Sequence, residues 1–228
     1  PMALSPHDKS VLYLGSQYLH RTRDHGNTWE RISPDLSTNN VAKQQQEKSG
    51  GITVDNSSAE MHTTIYSISE SPVAKGMIWV GTDDGNVQLT RDDGKTWTNL
   101  TKNLKIGSEN WISWVEASRH DANTAYVAVD RHAWGDLAPH IFVTRDAGKT
   151  WTRLAGPATA GIRGYAHVIK EDRVDRNILF AGTEFGLFVS RDAGANWEAF
   201  RPGNFPAVAV RDIALSTKGD DLVMATHG

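Results

Sequence analysis

The 228-residue chain contains no cysteine, which excludes disulfides and thiolate metal sites and fits either the cytoplasm or a bacterial envelope compartment. No apolar run approaches the roughly 20 residues that a membrane helix needs, so no membrane span is expected. The opening PMALSP has no basic segment followed by an apolar one, so it is not a signal peptide, and any export signal would lie upstream. A net charge of -3 supplies no basic face of the kind nucleic acid demands, so nucleic acid is not an expected partner. Phosphate loop, Gly-x-Ser-x-Gly elbow and dinucleotide fingerprint are all absent. His62, His132, His140, His167 and His227 lack the short spacing of zinc ligands, so neither metal nor cofactor is expected. The remainder, 39% hydrophobic with a mean hydropathy of -0.46, describes a chain large enough for a globular core.

What the sequence does have is repetition. One octapeptide occurs as TRDHGNTW (22–29), TRDDGKTW (90–97), TRDAGKTW (144–151) and SRDAGANW (190–197). Each copy follows a short apolar segment, which reads as strand, tight turn, strand. In that turn Asp24, Asp92, Asp146 and Asp192 accept backbone N–H groups that no ladder satisfies, and Gly26, Gly94, Gly148 and Gly194 take positive φ cheaply. Trp29, Trp97, Trp151 and Trp197 are expected to pack between neighbouring sheets. Four recurring aspartates also suggest a metal or catalytic set, but their oxygens are needed for the turns and the turns lie far apart.

The octapeptide resembles the Asp-box, or bacterial neuraminidase repeat, of β-propellers, with no mismatch at Arg, Asp, Gly or Trp. Families built this way include sialidases, two-propeller xyloglucanases, sortilin-type sorting receptors, a photosystem assembly factor and secreted bacterial proteins described as glycosyl hydrolase-like. The resemblance implies an all-β propeller and leaves the activity open, because function resides in sites grafted onto a fold.

A second element recurs ahead of each octapeptide, at Val11–Ser16, Ile78–Thr82, Ala125–Val129, Leu179–Thr183 and again at Leu222–Thr226. Alternating segments precede these at Ile65–Ser69, Ser113–Ala117, Tyr165–Ile169 and Val210–Leu215. The repeat is therefore a four-stranded antiparallel blade with the box on its last turn. Blades are expected at about 1–33, 63–104, 111–156 and 164–201, with a partial blade at 208–228, or about four and a half blades in all. This partial propeller leaves open edges, which further blades of a longer chain or oligomerisation would cover. Two longer connections, 34–62 and 130–140, fall at the end of the blades opposite the boxes, and loops presented by a rigid scaffold carry function.

On that loop face, Asp83, Asp84, Asp130 and Glu184 stand in turns between second and third strands. They are either paired acids for glycoside hydrolysis or ordinary hairpin residues. Trp111 and Trp134, with Tyr18 and Tyr165 nearby, suit sugar stacking or a partner segment, while Trp114, on an alternating strand, reads as core. Asp84, Glu184, Arg131 and His132 join Trp111 and Trp134 as ligand-binding candidates. A sialidase needs three arginines around a carboxylate; Arg131, Arg163 and Arg211 are the available set, but the Arg-Ile-Pro motif is missing and Arg31-Ile-Ser-Pro34 follows a box instead. The expectation is a non-catalytic binding or scaffold module of an exported bacterial protein, located outside the cell or in the periplasm, with a polysaccharide or protein partner. The alternative is a xyloglucanase-like hydrolase, or less readily a sialidase-like one.

Overall fold

A computed structural model describes residues 1–45, 62–107, 110–201, 203, 205–216 and 221–227. Strands β1 (Met2–Leu4), β2 (Leu12–Gly15), β3 (Leu19–Thr22) and β4 (Glu30–Arg31) form the first sheet, and β5 (Ile65–Glu70), β6 (Ile78–Thr82), β7 (Val87–Thr90) and β8 (Thr98–Asn99) the second. The third holds β9 (Trp111–Ala117), β10 (Ala125–Arg131), β11 (Asp136–Thr144) and β12 (Thr152–Ala155); the fourth holds β13 (Ala166–Glu171), β14 (Leu179–Thr183), β15 (Gly186–Ser190) and β16 (Glu198–Ala199). Strands β17 (Ala209–Leu215) and β18 (Leu222–His227) pair alone. Every sheet is an antiparallel meander in chain order, and successive sheets pack face to face as propeller blades.

This serial packing explains a feature of the sequence. Second and third strands of the inner sheets are buried at most positions, as in Ile78–Thr82 and Val87–Thr90, because each sheet has a neighbour on both faces. Alternate residues then serve different neighbours. Trp79 joins the apolar cluster shared with the third sheet, whereas Ile78 and Val80 join the one shared with the first. The core is accordingly divided into layers, one for each junction. Close approach between sheets also accounts for the small residue ending several second strands: a Cβ on Gly182 would lie 2.5 Å from the carbonyl oxygen of Val210.

The octapeptide turns close identically. Asp24 Oδ1 accepts from Thr28 N at 2.9 Å and its Oδ2 from Thr28 Oγ1 at 2.7 Å, while Thr22 Oγ1 donates to the same carboxylate at 2.7 Å and accepts from Gly26 N at 2.9 Å. Asp92 and Asp146 repeat this set, and Asp192 does so with Asn196 Nδ2 in place of the threonine hydroxyl. These donors hold Asp24, Asp92 and Asp146 at a pKa of about 2. The residue before each glycine shares its left-handed conformation, with His25 at φ 57, Asp93 at 62, Ala147 at 54 and Ala193 at 58. The turn is thus a two-residue left-handed step, where glycine alone was expected to adopt it.

The tryptophans of the second, third and fourth boxes reach back to the preceding sheet. Trp97 Nε1 donates to the Ile32 carbonyl at 3.0 Å and Trp197 Nε1 to that of Leu154 at 3.2 Å, and Trp151 packs edge-on against Trp79 with centroids 6.1 Å apart. Only Trp197 is buried as expected; Trp97 and Trp151 are half-buried, and Trp29 is 42% exposed, because its box belongs to the first sheet and no described sheet lies behind it. Replacing Trp197, 6% exposed, by alanine is expected to cost about 3–5 kcal/mol, whereas Trp29→Ala changes stability by less than about 1 kcal/mol. Denaturant unfolding of the two variants measures the difference, and equal losses would show that box tryptophans act within their own turns.

Candidate functional site

Residues at the starts of first strands and the ends of second strands share one end of the meander, opposite the boxes. Across the third, fourth and fifth sheets this brings together Trp111, Asp130, His132, Trp134, Tyr165, His167, Glu184 and Arg211. Strand β10 runs two residues past its regular pairing, to an Arg131–Asp136 pair. A single 3-10 turn over His132–Trp134 then folds both rings back toward Trp111. The Trp111 and Trp134 centroids are 5.8 Å apart, Trp111 and His132 are 5.2 Å apart, and His132 stacks on Tyr165 at 4.5 Å with an interplanar angle of 20°. Both tryptophans are half-buried and present part of their surface to solvent.

The polar groups under this aromatic patch are already paired. His132 Nδ1 donates to Asp130 Oδ1 at 2.7 Å, leaving its Nε2 directed elsewhere. Glu184 Oε2 accepts from His167 Nε2 at 3.1 Å and from Arg211 Nη2 at 3.4 Å, and the Tyr165 hydroxyl lies near this carboxylate. Burial pushes the Glu184 carboxyl up, but the bond from His167, the nearby Tyr165 hydroxyl and the Arg211 charge outweigh it and hold it below the ordinary range. Burial, reinforced by the nearby Glu184 carboxylate, raises the Tyr165 phenol.

The tautomer of His167 follows from its neighbours. Arg211 Nη1 lies 3.3 Å from Nδ1, and arginine has only donors, so Nδ1 is the acceptor and Nε2 carries the proton given to Glu184. The ring is neutral, consistent with burial pushing His167 below 6.5. The contact with Glu184 is therefore a hydrogen bond between a neutral ring and a carboxylate, although its 3.1 Å spacing would also suit an ion pair. His140 repeats the scheme: Arg153 Nη1 donates to its Nδ1 at 2.7 Å and its Nε2 donates to Asp136 at 2.8 Å.

Other candidates from the sequence lie elsewhere. Asp83 accepts from Thr64 N and Oγ1, both at 2.7 Å, and Asp84 from Thr38 N and Oγ1 at 2.7 Å and Thr82 Oγ1 at 2.5 Å. Both are under a tenth exposed and clamp backbone on the loop face. Asp84 lines a separate cavity of about 350 Å3 with Asn86, Lys102 and Lys105. The connection at 34–62 is anchored there through Thr38 and the Leu36 carbonyl, and residues 46–61 lie outside the described residues. The other lengthened connection, 130–140, is mainly extended hairpin. The three arginines are engaged separately: Arg131 with Asp136 at 3.8 Å, Arg163 over the Phe185 ring at 5.7 Å and Arg211 with Glu184. Tyr18 sits beneath Arg31 in the first sheet, and Trp114 packs into the core beneath Lys170.

No family model matches the sequence. The chain is 27% identical over 90 residues to the oligoxyloglucan-reducing end-specific xyloglucanase of Emericella nidulans, a match covering 39% of this chain and 10% of that protein. It is 27% identical over 159 residues to the probable oligoxyloglucan-reducing end-specific xyloglucanase of Neosartorya fischeri, covering 67% of this chain and 19% of that one. The chain therefore corresponds to about a fifth or less of these relatives. Among solved structures it aligns with an ancestral GH74 enzyme at a TM-score of 0.70 and 15% identity, over 99% of this chain and 27% of that one. It aligns with YCF48 bound to D1 peptide at 0.57 and 16%, over 100% of this chain and 62% of that one. At these identities the likeness establishes the propeller fold and nothing finer.

The folded His167 refuses a proton that the unfolded chain accepts below about 6.5. Its contribution to stability is thus present above that value and is lost as pH falls through the folded pKa. Nitrogen-15 NMR is expected to show Nε2–H with unprotonated Nδ1 at pH 7 and a titration midpoint below 6.5. A midpoint above it, or the opposite tautomer, would contradict the relay.

Proposed function

We propose that the loop face binds a polysaccharide without cleaving it. The observation that carries this reading is the half-exposed Trp111–Trp134–His132–Tyr165 patch, backed by carboxylates that neighbouring donors already hold in place. Aromatic faces take up the apolar face of a sugar ring, while the fixed dipoles of Glu184, Arg211 and His132 orient its hydroxyls. A glycosidase acid must instead hold a proton near neutral pH, and the pairing of Glu184 opposes that. The xyloglucanase names of the sequence relatives support a glycan over a protein partner.

This reading places the octapeptide in the Asp-box class, suggested by its repeated turn chemistry. It assigns to the exposed face around Trp29 a further blade, in this chain or in a partner, and it places the protein outside the bacterial cytoplasm, where polymeric glycans occur. A second reading, hydrolysis, draws on one observation. Asp130 and Glu184 both act on Tyr165, one through the stacked His132 and the other through the hydroxyl.

Calorimetric titration with a panel of plant and bacterial oligosaccharides tests the proposal. At least one glycan is expected to bind, with Trp134→Ala weakening it by roughly tenfold or more, as central aromatic anchors do, and with no new reducing ends. Reducing ends that disappear in Glu184→Gln or Asp130→Asn would establish the hydrolase instead.

A further inference from the structure

At the first three sheet junctions the outer rim forms a groove beside the later sheet's octapeptide, and the repeat allows these grooves to be compared. Between the first and second sheets, the groove of about 370 Å3 sets Glu30 and Asp93 against Arg31 and Lys95. Between the third and fourth, the groove of about 620 Å3 sets Asp192 against Arg145 and Arg153. Between the second and third, a groove of about 510 Å3 has Lys102, Lys105, Lys149 and Arg153 as its charged lining, and no carboxylate. Among the described residues the three lysines form no ion pair. Arg153 bonds His140 and lies 4.6 Å over Phe142, and the nearby Asp136 is occupied by His140 and Arg131.

This groove is also rebuilt relative to the others. Ile32, Leu100 and Leu154 occupy equivalent positions, each facing the box glycine of the following sheet. The carbonyls of Ile32 and Leu154 accept from Trp97 and Trp197. At the middle junction a one-turn helix, α1 (Thr101–Leu104), takes that place, and the Leu100 carbonyl accepts from Asn103 N at 3.0 Å. Trp151 Nε1 is left without an acceptor, and the helix is tied to the next box by Asn103 Nδ2 and the Gly148 carbonyl at 2.8 Å. The insertion thus exchanges a regular inter-sheet hydrogen bond for a wall carrying Lys102 and Lys105 opposite the Trp151 ring.

Like charges gathered around one concavity repel each other, and in a chain of net charge -3 carboxylates abound that would neutralise them. We propose that this rim groove binds a linear acidic polysaccharide, a chain bearing a carboxylate or sulfate on successive sugars. The cations come from three separate elements, the helix, the box turn and β12, which suits charges repeated along a polymer better than one compact phosphate. Ammonium groups act as point charges that tolerate varied anion geometry, and the Trp151 ring supplies apolar surface for a sugar. The volume lies within the range of ligand sites. The groove is distinct from the loop-face patch, and its proposal does not rest on that one.

Binding of a polygalacturonate oligomer, measured in low salt and again at physiological salt, tests the assignment. The expected result is saturable binding that weakens tenfold or more with added salt and is reduced at least tenfold by the double change Lys102→Gln, Lys149→Gln. Lys105, at φ 55, is left unchanged to spare the backbone. Trp134→Ala on the loop face should leave this binding intact, and Lys95→Gln at the first junction serves as a control for general charge. Unaltered affinity in a folded double variant, equal loss in the Lys95 control, no binding at low salt, or preference for single-stranded nucleic acid or an acidic peptide would each overturn the proposal.

Discussion

One carboxylate per repeat supports the architecture. The box aspartate spends both oxygens on donors within its own turn, two side-chain hydroxyls or amides and one backbone amide, and so stays ionised well into acid. That closure sets the exit direction of the fourth strand, and with it the point at which the tryptophan lands on the sheet before. The contact runs from each repeat to its predecessor, so the core grows as a series of layers. Each interior sheet needs a neighbour on both sides.

Two departures from regularity follow from the same geometry. The first sheet has its box and tryptophan but nothing described behind it, so Trp29 joins Met2 and Leu4 as exposed apolar surface. At the middle junction a one-turn helix intercepts the carbonyl that Trp151 would use. The repeat tolerates this because Trp151 still packs edge-on against Trp79, itself fully buried. Regular positions therefore carry stability, and irregular ones are where the surface has been reshaped.

Much of the fold was legible in the sequence because repetition multiplies a weak local signal: second strands, boxes and the meander order emerge from aligning the copies. The partners of Asp24 inside its box were less legible, since Thr22 and Thr28 read as generic turn residues until both are seen on one carboxylate. Trp29 was misjudged because burial belongs to the preceding sheet and not to the octapeptide. The candidate site was legible in part. Trp111, Trp134, His132 and Glu184 were singled out, whereas His167 and Arg211 were set aside, one as a scattered histidine and the other as part of an anion-binding set. Their meeting with Glu184 joins the hairpin of the fourth sheet to β17 of the fifth. The available signal was positional: each stands near the loop-face end of a first or second strand in adjacent repeats. Asp83 and Asp84 resemble site acids in sequence, yet they clamp Thr64, directly ahead of β5, and Thr38, in the long connection that pattern reading cannot place.

The central claim is that a box tryptophan packs onto the preceding sheet and, where the junction is regular, bonds a carbonyl of that sheet. Hydrogen exchange at the indole N–H groups tests it most directly. Slow exchange at Trp97 and Trp197, whose N–H groups reach the Ile32 and Leu154 carbonyls, together with fast exchange at Trp29, is the predicted result. Similar rates at all of these indoles would contradict it.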